Sequence, residues 1–440
     1  MAAESRGFPR ASVIEGVRFT AQVGVPNVLQ GLFKKRELPT KVAGAARADM
    51  FGFGLVHGLV KKYGPGPFFV RVAKDEALLL SDPDDMEFVL GGSPDPFASD
   101  PPAKKAGMSA FQPDALTLSR GDLWRNRRAF AESVLETDQP LHSLAPRMVV
   151  VAGEEAAVLE GEIGYREVNA AFQRLTRRVV LGDAAADDTD LTALLGRLMA
   201  AGNRTPGKPA DGYDDLVARI SSYIDTAEPG SLASLVAGAP HDDATSVPGQ
   251  LVHWLFAMGD TLPANLIRAL ALVGSHPEQR REVYAEIKAA DVSSPTAVAG
   301  LDYLAGVILE AMRLWPTTPL FGRVTAADVT FPGGQKVPEG TQILIYNVFN
   351  HRNPDRIPYA DRCSPGEWAH GDASKSWSFN FFSHGPQGCP GAGMSVFLGQ
   401  AFLAALLDRA TPELLSPSLN PSKPLPRGLD LFAIRVGLTA

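Results

Sequence analysis

Residues 382–391 read Phe-Ser-His-Gly-Pro-Gln-Gly-Cys-Pro-Gly. Directly after them, residues 394–407 (MSVFLGQAFLAALL) are almost wholly apolar and predict a helix, which puts Cys389 at a loop-to-helix junction. Pro390 suits a first helical turn, where the missing N–H would have had no partner. The N–H groups that follow point back toward the sulfur, and the positive end of the helix favours an anion there. Gly385, Gly388, Gly391 and Gly393 remove side chains around the cysteine, which admits a flat, bulky partner close to the backbone. A lone cysteine is otherwise a small buried hydrophobe, and that alternative stands until other stretches are read beside this one.

Three others matter. In residues 301–316 (LDYLAGVILEAMRLWP), apolar positions at Leu304, Val307, Ile308, Met312 and Leu314 predict a helix ended by Pro316. Glu310 and Arg313, at i and i+3, share a face and can pair; such pairs are otherwise solvated decoration. Residues 246–273 are apolar on nearly every face and predict a helix through the centre of a domain. An aspartate there, Asp260, is costly to bury without partners or a task. Thr261 can bond the Ala257 carbonyl, and Pro263 deprives the Gly259 carbonyl of its helical donor. A polar notch beside Asp260 and Thr261 follows, or simply a kinked core helix. In Trp124-Arg125-Asn126-Arg127-Arg128, Trp124 and Arg128 lie one turn apart, so an indole N–H and a guanidinium can converge on one carboxylate. Without a carboxylate to meet, the stretch is a basic, solvated helix turn.

Taken together and in this order, the four stretches resemble the cytochrome P450 family over roughly residues 55–435. The resemblance implies a mostly α fold with a small β region, folded as one domain over 1–440 with a lead-in of about 50 residues. It implies Cys389 as the thiolate ligand of haem b (iron-protoporphyrin IX), with Phe382 and Gly391 in the haem-binding loop. Trp124, Arg128 and Arg323 are implied at the propionates, Arg323 lying on the strand after Glu310-x-x-Arg313. Asp260 and Thr261 are implied as the acid–alcohol pair that relays protons to activated O2, the co-substrate. Three positions depart from the family pattern. Met258 stands where glycine is usual, and Gln387 where an arginine or histidine bonds a propionate. Glu367 stands where an arginine completes the Glu310–Arg313 network, leaving Arg362 or His370 as substitutes. The implied cavity residues are Phe97, Phe111, Leu255, Phe256, Thr318, Leu320, Leu431 and Phe432, mostly apolar and without a charged clamp, which suits a small hydrophobic substrate.

The remaining properties narrow the class. Apolar content of 45% supports a large core, and a net charge of −7 argues against nucleic acid. Two cysteines exclude a disulfide framework and fit a reducing, cytoplasmic compartment. The opening residues lack a signal-peptide pattern, and no run of 18 apolar residues predicts a membrane anchor. The resemblance implies separate electron donors, a ferredoxin and its reductase, and the cluster Arg120, Arg125, Arg127 and Arg128 offers a basic patch for one. The leading function is thus a monooxygenase, an oxidoreductase that puts one oxygen atom of O2 into its substrate. The alternatives are a peroxygenase, isomerase or dehydratase that needs no electron partner, and a zinc protein using Cys363, His370, His384 and Cys389. Those four have spacings unlike the short paired loops of structural zinc sites. Residues 68–73, 76–82 and 343–348 predict strands.

Overall fold

In the computed structural model, which describes residues 7–439, the helix after the cysteine spans Ala392–Arg409 and is buried along most of its length. Residues 1–6 of the opening stretch read above, and Ala440, lie outside the described residues. The Ala392–Arg409 helix packs against several others, among them Ala145–Ala157, Leu262–Ser275 and Asp302–Leu314. Gly399 lets Ile308 and Leu266 approach where a methyl group would press on both. One large apolar cluster runs through these helices, and smaller clusters lie under the sheets.

The central helix is continuous from Val247 to Ser275 but changes character midway: Val247–Phe256 is α, Ala257–Thr261 is a π turn, and Leu262–Ser275 is α again. Pro263 sits in the first turn of the resumed α segment, where its missing N–H is harmless. The stretch Asp243–Ser275 is long and apolar enough to cross a membrane by length and composition, yet 72% of its most apolar window is buried inside the protein. It is the core helix that the sequence pattern predicts.

The β structure is small. One sheet orders its strands Phe68–Val72, Asp75–Leu80, Gln342–Tyr346, Leu320–Thr325 and Phe97–Ala98. The first two form a hairpin, so both predicted strands are found, and Gln342–Tyr346 joins Asp75–Leu80 in parallel. Arg323 is carried on Leu320–Thr325, paired with Ile343. A second sheet, of Gly161–Gly164, Arg435–Thr439 and Thr411–Ser416, packs on the far half of the central helix. The first 50 residues carry helices Val13–Phe19 and Glu37–Ala45, and the loop between Gly31 and Arg36 reaches the middle of the molecule.

Glu310 and Arg313 on helix Asp302–Leu314 are fully buried and joined by two hydrogen bonds of 2.6 and 2.8 Å. Burial pulls the Arg313 guanidinium down, and the Glu310 carboxylate outweighs it, leaving the group above its ordinary range. The remaining guanidinium N–H groups go to the carbonyls of His351, Ala360 and Arg362. The third arm is neither of the expected side chains. The Trp368 indole N–H donates to Glu310 at 2.8 Å, and the Ser364 N–H to its other oxygen at 2.8 Å, while Arg362 contributes only its carbonyl. Glu367 points away to solvent. Replacing Trp368 with phenylalanine should therefore destabilise the fold by about 1–3 kcal/mol, since a buried carboxylate loses a donor. Thermal melting of the two proteins measures this; an unchanged melt would remove Trp368 from the network.

Candidate haem-thiolate site

Cys389 lies in the loop preceding helix Ala392–Arg409, its N–H donating to the Phe382 carbonyl at 2.8 Å. The helix therefore starts three residues after the sulfur, with Pro390 ahead of its first turn. The thiol accepts from the Gly391 N–H, as the sequence predicts, and Arg128 lends positive charge nearby. Burial is nonetheless the larger effect and pushes the thiol up. The expectation that the helix end by itself favours a thiolate is thus corrected: desolvation wins, and a bound metal ion would have to supply the charge that deprotonates the sulfur. Cys389 keeps accessible surface even though its thiol is desolvated by its surroundings. Gly385 adopts φ +65°, with the Leu90 backbone so close that a side chain there has no room. Gly391 is buried against Leu135, and Phe382 is half-buried beside Phe381.

Arg128 donates to the Gly388 carbonyl at 2.5 Å and to Glu132 at 2.6 Å. Trp124, one turn earlier, joins it and Pro386 in lining a crevice of about 360 Å³ between helix Gly121–Leu135 and the cysteine loop. Arg323 is buried beside the same loop, donating to Ser383 and Ser93 at 3.0 Å each and to the Gly322 carbonyl at 3.1 Å. A guanidinium has five N–H groups, so two of them have no acceptor among the described residues. Burial pulls this group down to about 9. Lys104 lies near enough to repel it: burial and the Arg323 charge, opposed by Asp100, bring its amine to about 7. Neither cation pairs with a carboxylate among the described residues. A buried Arg323 with two unused N–H groups and a half-buried Lys104, both beside the cysteine loop, fit a flat cofactor bearing two carboxylates. Gln387 donates to Ser99 at 3.2 Å, and its buried amide oxygen is unpartnered. Ser99 also gives its carbonyl to Lys104 at 2.8 Å.

The central helix shows where the opposite wall lies. Between Gly249 and Val273 only five residues keep accessible surface: His253, Phe256, Ala257, Asp260 and Thr261. Their spacing of i, i+3, i+4, i+7 and i+8 is one helical stripe, on a helix otherwise buried all round. Asp260 and Thr261 are thus brought to the same face. Asp260 pairs with Lys34 at 2.7 Å, and Lys34 is held in place because Asn203 bonds the Phe33 N–H and the Lys34 carbonyl. The anticipated bond from Thr261 to the Ala257 carbonyl is not made; among the described residues the Thr261 hydroxyl has no partner. The π turn changes the spacing there. The stranded Gly259 carbonyl is instead taken from the side by Gln173 at 2.7 Å and Asn169 at 2.9 Å.

Some expected cavity residues face elsewhere. Phe97 packs against Phe88 and Phe331 under the sheet, and Leu255 and Leu431 are buried in the helical core. Phe111 is buried too, edge-on to Phe256. Phe256, Thr318, Leu320 and Phe432 keep accessible surface. The basic patch is largely neutralised: Arg120 pairs with Asp100, Arg127 with Asp114, Arg125 with Asp122 and Arg128 with Glu132. Cys363 is buried beside Glu310 and Arg313, and among the described residues no three His, Cys, Asp or Glu side chains converge as metal ligands would.

A family model described as cytochrome P450 matches residues 245–427. Similar curated proteins include the cyclooctat-9-en-7-ol 5-monooxygenase of Streptomyces melanosporofaciens, 35% identical over 189 residues, covering 39% of this chain and 40% of that protein. Cytochrome P450 4c3 of Drosophila melanogaster is 28% identical over 210 residues, covering 45% of this chain and 37% of its own. The match thus spans about two fifths of the length of these relatives. Among solved structures, retinoic-acid-bound cyanobacterial CYP120A1 superposes with a TM-score of 0.68 at 17% identity, covering 87% of this chain and 93% of its own. A zebrafish cytochrome P450 with progesterone gives 0.69 at 18% identity, covering 88% and 99%.

Proposed function

Because the chain belongs to the cytochrome P450 family, we propose that it is a haem-thiolate monooxygenase. It puts one oxygen atom of O2 into a hydrophobic organic substrate, the other leaving as water with two electrons and two protons. When bound, haem b supplies the dioxygen chemistry, and thiolate donation favours O–O cleavage. Cys389 is the ligand, its sulfur positioned by the Gly391 N–H. Arg323 offers its two unused N–H groups to a propionate, and Lys104 adds the charge for a second. Trp124 and Arg128 line the crevice on the other side of the loop, and Phe382 and Gly391 belong to the loop that would carry the haem. Asp260 holds a proton-exchanging carboxylate between the Lys34 ammonium and the accessible stripe, and the Thr261 hydroxyl is free to pass a proton onward.

The observation that carries this reading is the acid–alcohol pair on the one accessible stripe of a buried helix. A peroxygenase, isomerase or dehydratase has no use for that pair. The electrons come, on this proposal, from a ferredoxin and its reductase in the cytoplasm. The test is turnover of the haem-loaded protein with NADPH and a surrogate ferredoxin–reductase pair. Product formation that requires the electron chain is expected. Equal turnover with hydrogen peroxide and none with NADPH would overturn the monooxygenase reading in favour of a peroxygenase.

A further inference from the structure

Among the described residues fifteen large apolar side chains are exposed, and eleven of them fall between Val13 and Phe51. They are carried mainly on helices. Residues 13–30 run as one helix through α, π and α segments. Its inner face is fixed by Phe19 and Val23, fully buried in one apolar cluster with Phe53, Val56 and Phe68. Its outer face is apolar as well: Val13, Ile14, Val17, Val25 and Leu29 stand in the open, Ile14 at 74% exposure. Val17, Thr20, Ala21 and Val25 share with Arg71 and Ala73 of the neighbouring hairpin a groove of about 240 Å³. Helix Glu37–Ala45 adds Leu38 and Val42, one turn apart. A surface helix ordinarily turns polar residues outward, and apolar side chains exposed together mark a face that something covers.

The charge around this face says what covers it. Residues 1–63 hold ten Lys or Arg against four Asp or Glu, a net +6 in a chain of net −7, which leaves −13 on the rest. Beside the groove Arg18, Arg71 and Lys74 are exposed and make no ion pair among the described residues. Of the acids near them, Glu15 is taken by Lys62 and Tyr63 and Glu76 by Arg10, which leaves Asp75. A second copy of the chain suits the face poorly, since a two-fold contact sets its basic rim against itself. A protein partner is gripped chiefly by Trp, Tyr and Arg anchors in pockets, whereas this face offers short aliphatic chains. Aliphatic chains ringed by cations suit the boundary of an anionic bilayer: the chains enter the acyl region and the cations stay at the headgroups. Just beyond Leu32, Lys34 meets Asp260, so one short loop joins this face to the accessible stripe of the central helix.

We propose that residues 13–32, with Arg71 and Lys74 of the hairpin, dock the enzyme on the surface of an anionic lipid bilayer without crossing it. This goes beyond the monooxygenase reading and does not rest on it, since the test reads no turnover. The full-length, haem-loaded protein is sedimented with vesicles of phosphatidylcholine alone and of phosphatidylcholine with phosphatidylglycerol in equal parts. Binding to the mixed vesicles is expected to be at least about tenfold tighter. That margin should shrink in about 1 M salt, where charges are screened beyond about 3 Å. Arg18→Gln combined with Lys74→Gln should weaken binding to the mixed vesicles by about tenfold. Val17→Asp combined with Val25→Asp changes two exposed side chains, so thermal melting should stay as in the parent while binding to both vesicles is lost. Absence of vesicle binding, equal binding to both vesicles, or binding that survives Val17→Asp with Val25→Asp would overturn the proposal. A concentration-dependent dimer in the absence of vesicles, broken by the same two substitutions, would also overturn it and give the face to a second copy.

Discussion

Glu310→Ala is expected to yield little haem-loaded protein. The Arg313 guanidinium is fully buried, and Glu310 supplies two of its hydrogen bonds and the one carboxylate it pairs with among the described residues. Removing one partner of such a pair costs about 3–5 kcal/mol, because the other is left charged in a dry interior. That is a large part of a typical folding free energy of about 5–15 kcal/mol. The loss reaches further, since the Trp368 indole and the Ser364 N–H also end on Glu310. Those donors tie helix Asp302–Leu314 to the segment around Cys363, and the Arg313 contacts extend the tie to His351 and Ala360. Recovery of soluble holoprotein and its haem-to-protein ratio measure the effect. Glu310→Gln keeps the shape and some of the bonds and should fall between the two. Normal yield and haem content in Glu310→Ala would show that the pair does not hold the fold.

Asp260→Asn is expected to slow turnover by at least about tenfold, a floor below the roughly 10²- to 10⁴-fold that positioned acid–base groups contribute. An amide keeps the shape but neither carries a proton nor pairs with the Lys34 ammonium. Thr261→Ala should behave differently. It deletes the unbonded hydroxyl and leaves the π turn intact, because that turn is held by Pro263 and by the Gln173 and Asn169 amides on Gly259. NADPH consumption should continue at a comparable rate while two electrons and two protons per O2 leave as hydrogen peroxide in place of product. Stoichiometry of NADPH, peroxide and product separates the two variants. Full coupling at normal rates in both would remove Asp260 and Thr261 from the proton path.

Local pattern carried the reading of the sequence a long way. The glycine-rich loop at Cys389, the Glu310–Arg313 helix and the all-apolar central helix are short-range signals, and each element formed where its residues place it. Pro263 freed the Gly259 carbonyl as expected, but the groups that answer it, Gln173 and Asn169, come from a different helix. The same holds for Lys34 against Asp260 and for Gln112 against His253. Such partners meet only through the tertiary fold, and neither periodicity nor composition registers them. Trp368 was closer to legible: it follows Glu367 directly, and an indole N–H is a donor that a missing arginine leaves room for. Leu255 shows the cost of judging a helix face by apolarity. It lies two residues from His253, and that offset turns it from the accessible stripe into the core.

The central claim is that Cys389 binds haem iron as its thiolate ligand, and the absorption spectrum of the reduced protein under carbon monoxide tests it most directly. The parent protein should give the long-wavelength band of a thiolate-ligated haem. Cys389→Ser should lose that band, since a serine oxygen does not replace the sulfur, while Cys363→Ser, a change at the buried thiol beside Glu310 and Arg313, should retain it. A band that survives in Cys389→Ser and disappears in Cys363→Ser would contradict the assignment of the site.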